Sequence, residues 1–129
     1  MRLKVIVAIT SIITGILISQ SQAQELVESY VAFLSNADHF NSRGQRLTSA
    51  AAIIRQDRAN YHRFGRGDAG DEGDIFFADA GNRDALERML ERGHASPGVI
   101  SQIINSTCTV RVDIYRSNSG PFIRVTVLN

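Results

Sequence analysis

The chain has one cysteine, Cys108, and one lysine, Lys4. A lone cysteine excludes an intramolecular disulfide, so even in an oxidising compartment stability has to come from packing. A domain that starts after Lys4 carries its positive charge on arginine and histidine alone, which excludes a lysine Schiff base or lysine nucleophile from it. A surplus of either charge is also missing, since 14 Lys+Arg stand against 13 Asp+Glu. A chain this close to neutral has no long-range field to draw it onto nucleic acid or an anionic membrane. The three histidines, His39, His62 and His94, show none of the i,i+3 or i,i+4 spacing of zinc sites on helices.

What the chain does have begins at its N-terminus. Arg2 and Lys4 precede an uncharged apolar run, Val5 to Ile18, and Ser21-Gln22-Ala23 offers a small-residue cleavage site. The run is shorter than the roughly 20 residues that span a bilayer. Residues 1–23 are therefore expected to be a cleavable secretory signal peptide, and 24–129 a single small globular domain. No cysteine follows the cut, which argues against a lipid anchor. Cleavage removes Arg2 and Lys4, taking the basic count from 14 to 12 and the formal charge from +1 to −1. Heavy Arg, Ala and Gly usage without lysine fits a GC-rich bacterial genome. The expected location is the periplasm, or outside the cell, with no membrane span after cleavage.

Glu25 to Leu34 has apolar residues at helical spacing and is read as a helix, although its β-branched content also fits a strand. Leu47 to Phe64 is the strongest helix, with Leu47, Ala51, Ile54 and Tyr61 on one face. A further helix runs from about Asn82 to Gly93, and Ser96-Pro97 reads as the cap and first residue of a short one. The C-terminus alternates. Cys108, Val110, Val112 and Ile114 point one way, as do Ile123, Val125 and Val127 beyond a Ser117–Gly120 turn. The expected fold is α+β, about four helices packed on a small C-terminal antiparallel β-hairpin or sheet.

Five features could carry chemistry. Arg55, Arg58 and His62 share one face of the long helix and could fork onto a carboxylate or phosphate. Arg111, Tyr115 and Arg124 share the polar face of the hairpin, and arginine and tyrosine are favoured at interface centres. These six residues are the expected partner-binding positions, for an unknown protein or a small anionic ligand. Asp68 to Asp79 partly matches a twelve-residue calcium loop, with Asp68, Glu72 and Asp79 as ligands and Gly73 at the sharp turn. Gly70 lacks the oxygen such a loop needs at its third position, and Asp79 stands where glutamate is usual. Failing calcium, the loop is an exposed acidic segment in which Asp79 or Asn82 caps the next helix. Cys108 falls on the apolar face, where a thiol packs as a small hydrophobe rather than a nucleophile. Arg66-Gly67-Asp68 and Asn105-Ser106-Thr107 are short enough to recur by chance.

No nucleophile motif or paired-carboxylate pattern supports catalysis. The expected function is that of an exported, non-catalytic binding or accessory protein. The alternatives are a calcium-binding module built on the 68–79 loop and a small envelope hydrolase.

Overall fold

The computed structural model describes residues 24–128, so the expected signal peptide lies outside the described residues. The order of elements is β1 (Glu25–Leu34), α1 (Ala50–His62), α2 (Ala80–Asp84), α3 (Leu86–Gly93), α4 (Pro97–Asn105), β2 (Cys108–Arg116) and β3 (Phe122–Leu128), with short 3-10 turns at Asn36–His39 and Phe76–Ala78. The fold is α+β. The helices lie against one face of a three-stranded antiparallel sheet of order β1-β2-β3.

The first segment is a strand and not the helix its apolar spacing predicts. Tyr30, Ala32 and Leu34 are buried at alternate positions, the period of two that a strand requires. β2 accounts for this outcome, because a hairpin alone is marginal and gains a second partner along its other edge. Tyr30 pairs with Val112, Ala32 with Val110 and Leu34 with Cys108, all on the core side. On the other side of β2, Ile114 pairs with Ile123 and Val112 with Val125, as the C-terminal alternation predicts.

Local sequence sets the helix ends. The Ser49 side chain accepts from the Ala52 N–H to start α1, Asp79 accepts from Asn82 to start α2, and Ser96 accepts from Val99 ahead of Pro97 in α4. The expected helix ending at Gly93 is broken into α2 and α3 at Ala85. Gly93 does not supply the left-handed cap. His94 does, with φ 55°. A Cβ on Gly93 would lie 1.7 Å from the Ile123 carbonyl oxygen, so glycine is needed there to let α3 close onto β3. Ile53, Ile54, Phe77, Leu86, Met89 and Ile103 fill the space between helices and sheet. Among the described residues, no helix is long and apolar enough to cross a membrane.

Two polar ties hold the N-terminal turn. His39 sits with Nδ1 2.7 Å from the Ser35 carbonyl and Nε2 2.8 Å from the Ile103 carbonyl, linking the turn to α4. A neutral imidazole donates to only one of these at a time. Asp38 accepts from the Ser35 N–H and hydroxyl through Oδ2 and from Asn60 of α1 through Oδ1.

Candidate functional site

The arginine at the centre of α1 is inside the protein. Arg58 is 0% exposed, which corrects its expected place on a solvated face with Arg55 and His62. Position 58 continues the run Leu47, Ala51, Ile54 and Tyr61 at helical spacing, so it occupies a core site. Its Nε donates to Asp57 at 2.8 Å, and its Nη1 to Asp74 at 2.9 Å and to the Glu72 carbonyl at 3.0 Å. The guanidinium carbon lies 4.2 Å from the Tyr30 ring centre and 4.7 Å from that of Tyr61. Burial works against its charge, but Asp57 beside it and the hydrogen bonds it donates to Asp74 and Asp57 outweigh burial and raise its pKa above the ordinary value. Arg58 is unavailable to a partner.

The glycine- and acid-rich segment is folded around this arginine, where an exposed acidic loop is the simpler expectation. Gly67 and Gly73 flank Tyr61 so closely that a Cβ on either would approach its ring or hydroxyl within 3 Å. Asp71 accepts from the Phe33 N–H, and the Glu72 N–H donates to the Val31 carbonyl, so the segment covers the outer edge of β1. Glu28 returns the tie, accepting from the Ile75 and Phe76 N–H groups. Asp74 takes His62 Nε2 at 2.7 Å in addition to Arg58. His62 is thus partly buried and engaged from within. Arg55 alone of that trio is exposed, paired with Asp84.

The three expected calcium ligands do not converge. Asp79 caps α2, Glu72 is exposed and holds the loop through its backbone, and Asp68 turns elsewhere. Among the described residues, the carboxylates that meet are Asp38, Asp57 and Asp68, with one oxygen of each within 4.8 Å of the others. Sequence spacing gives no sign of this trio, because its members come from a turn, a helix and a loop. The one available signal is an acid, Asp57, beside the core stripe of α1.

The outer face of the sheet does bring its three expected residues together. Reading across the strands, the rows are Phe33–Thr109–Leu128, Val31–Arg111–Thr126, Ser29–Asp113–Arg124 and Leu26–Tyr115–Phe122. Tyr115 and Phe122 stack with ring centres 5.0 Å apart, and the Arg124 guanidinium lies 4.9 Å over Tyr115. Arg111 donates to Asp113 at 3.0 Å and stays half exposed. Partial burial pushes the Asp113 carboxyl up, but the Ser29 hydroxyl and the Arg111 and Arg124 charges outweigh it and hold the pKa below the ordinary value. Leu26, Phe33 and Leu128 are exposed large apolar side chains at the two ends of this face. Leu26 and Phe33 extend the surface beyond the residues the polar alternation singles out, because β1 reads as a helix in sequence, and Leu128 adds to it from the end of β3.

Cys108 is buried on the core face beside Val110, and burial pushes its thiol up, away from nucleophilic use. No family model, curated protein or solved structure matches the chain.

Proposed function

We propose that this protein is an exported binding or accessory module that recognises a protein partner through the outer face of its sheet. The observation that carries the reading is that the helices lie against one face only. The other carries two arginines, a stacked Tyr115–Phe122 pair and exposed Leu26, Phe33 and Leu128. Aromatic and arginine side chains combine large contact area with directional donors, the composition of interface centres. A small ligand would favour a concavity, whereas two clefts of about 440 Å³ lie on the helical side of the molecule and involve none of these residues. The partner surface that fits is one offering apolar side chains with carboxylates between them, to meet Arg111 and Arg124.

A photo-crosslinking residue at Thr126, exposed on this face, tests the reading in the producing cell, with the same residue at Gln102 on α4 as control. A discrete crosslinked protein from position 126 and none from 102 is expected. Crosslinks from 102 alone, or from neither position, would overturn it. Export is checked on the purified protein, whose intact mass should begin at or near Gln24. A mass retaining residues 1–23 would mean an anchored chain.

A further inference from the structure

Asp38, Asp57 and Asp68 meet although they lie far apart in the chain, and two of them are closed to solvent, Asp38 at 1% and Asp57 at 2% exposure. Asp57 uses Oδ2 on Arg58, while its Oδ1 is buried with no hydrogen-bond partner. An unpartnered buried carboxylate oxygen is costly and calls for an explanation in a folded protein. The local charge sharpens the question. Asp38, Asp57, Asp68, Asp71 and Asp74 gather in this part of the molecule, and Arg58 is the buried arginine that answers them, with His62 reaching Asp74 alone. One guanidinium cannot balance the trio when all three carboxyls are ionised. Burial, partly offset by Arg58 and reinforced by Asp38, pushes the Asp57 carboxyl up to about 8. The Asp68 carboxyl is raised too, by burial and by Asp38 beside it, against a hydrogen bond from Ser35.

We propose that Asp38, Asp57 and Asp68 form a binding site for a hard divalent cation, calcium in preference to magnesium, in which Asp57 Oδ1 is an inner ligand. Oxygens up to 4.8 Å apart suit a central ion bound at calcium's ~2.3–2.6 Å, since opposed ligands then stand about twice that distance from each other. Three carboxylates fixed by a 3-10 turn, a helix and a loop form an irregular set. Calcium accepts irregular coordination, whereas magnesium demands a near-ideal octahedron at ~2.0–2.1 Å. Asp68, only partly buried, leaves a side through which the ion enters and water completes the shell. The cation would join the turn before α1, the body of α1 and the loop that covers β1. The site is independent of the sheet face, and either can fail without the other.

The test uses the protein lacking residues 1–23, stripped of metal with a chelator and titrated calorimetrically with calcium chloride at pH 8.5. Melting curves with 5 mM calcium or magnesium accompany it. Calcium should bind with one site per chain and raise the melting temperature, and magnesium should do so at least tenfold more weakly. Asp68→Asn, at a partly exposed position, should remain folded and weaken calcium binding by about tenfold or more, since even outer-sphere partners of metal sites cost ~10–100-fold. Glu72→Gln and Asp79→Asn should leave binding unchanged, which separates this trio from the linear 68–79 loop. Absence of calorimetric heat and of a melting shift at 5 mM calcium would overturn the proposal and leave a shared proton as the occupant of the cluster. Undiminished binding by Asp68→Asn would overturn it too.

Discussion

Asp57 and Arg58 are neighbours on α1, and both turn inward, joined by a 2.8 Å hydrogen bond from Nε to Oδ2. Successive helical residues diverge by 100°, so a pair buried together means α1 is enclosed over a broad arc. Arg58 then faces the two tyrosines and the 71–74 loop, and Asp57 faces Asp38 and Asp68. One adjacent pair thus sets the core helix against the 36–39 turn and the 68–74 loop.

Removing Arg58 should be severe. Arg58→Ala leaves Asp57 buried without a hydrogen-bond partner and Asp74 held by His62 and the Phe77 N–H, and loss of one member of a buried ion pair costs about 3–5 kcal/mol. Arg55→Ala breaks an ion pair whose side chains are more than half exposed and should stay within about 0.5 kcal/mol. Urea unfolding followed by circular dichroism separates the two. Equal small losses would mean that the Arg58 network contributes little.

Asp113 sets an acid-side dependence. Its pKa is lowered in the folded protein, so its contribution is present above the unfolded value near 4 and is lost as pH falls through the folded value. The groups facing it are Ser29 from β1, Arg111 on its own strand and Arg124 from β3. Comparing Asp113→Asn with the parent across pH 2.5 to 7 should show a stability deficit above about pH 4 that closes toward the acid end. Because Arg111 and Arg124 are exposed, the deficit should be at most about 1 kcal/mol. A difference independent of pH would assign the effect to packing.

Two glycines should respond with opposite sign. Gly93→Ala drives a methyl into the Ile123 carbonyl, a backbone atom that cannot swing aside, and should cost about 1–3 kcal/mol or more. Gly98, in the first turn of α4, has nothing within 4 Å of a built Cβ. Gly98→Ala should be neutral or stabilise by up to about 1 kcal/mol, through the entropy of the unfolded chain. Thermal unfolding of both variants checks the close approach of α3 to β3.

Legibility followed the range of the forces involved. The C-terminal hairpin, its buried face and the cap at Ser96 are set by neighbouring residues, and the sequence pattern places them correctly; of the two caps it offers for α2, Asp79 and Asn82, the structure uses Asp79. β1 was ambiguous because Leu26, Tyr30, Phe33 and Leu34 fit a helical stripe, while Tyr30, Ala32 and Leu34 fit a strand. Pairing with β2 from far along the chain decides between them. Arg58 and the aspartates around it were opaque for a related reason. A charge in a core stripe reads as surface until its partners are known, and these come from β1 and the 71–74 loop. Of the expected partner-binding residues, Arg111, Tyr115 and Arg124 were legible as a group because strand alternation alone puts them on one face.

On the proposed function, recognition belongs to the outer face of the sheet and not to the arginines of α1. The most direct measurement compares partner capture by Arg111→Ala/Arg124→Ala, Arg55→Ala and the parent chain, with the melting temperature of each recorded alongside. The sheet pair is expected to lose capture while remaining folded, since exposed charge changes cost little, and Arg55→Ala to capture as the parent does. Full capture by a folded Arg111→Ala/Arg124→Ala variant would contradict it.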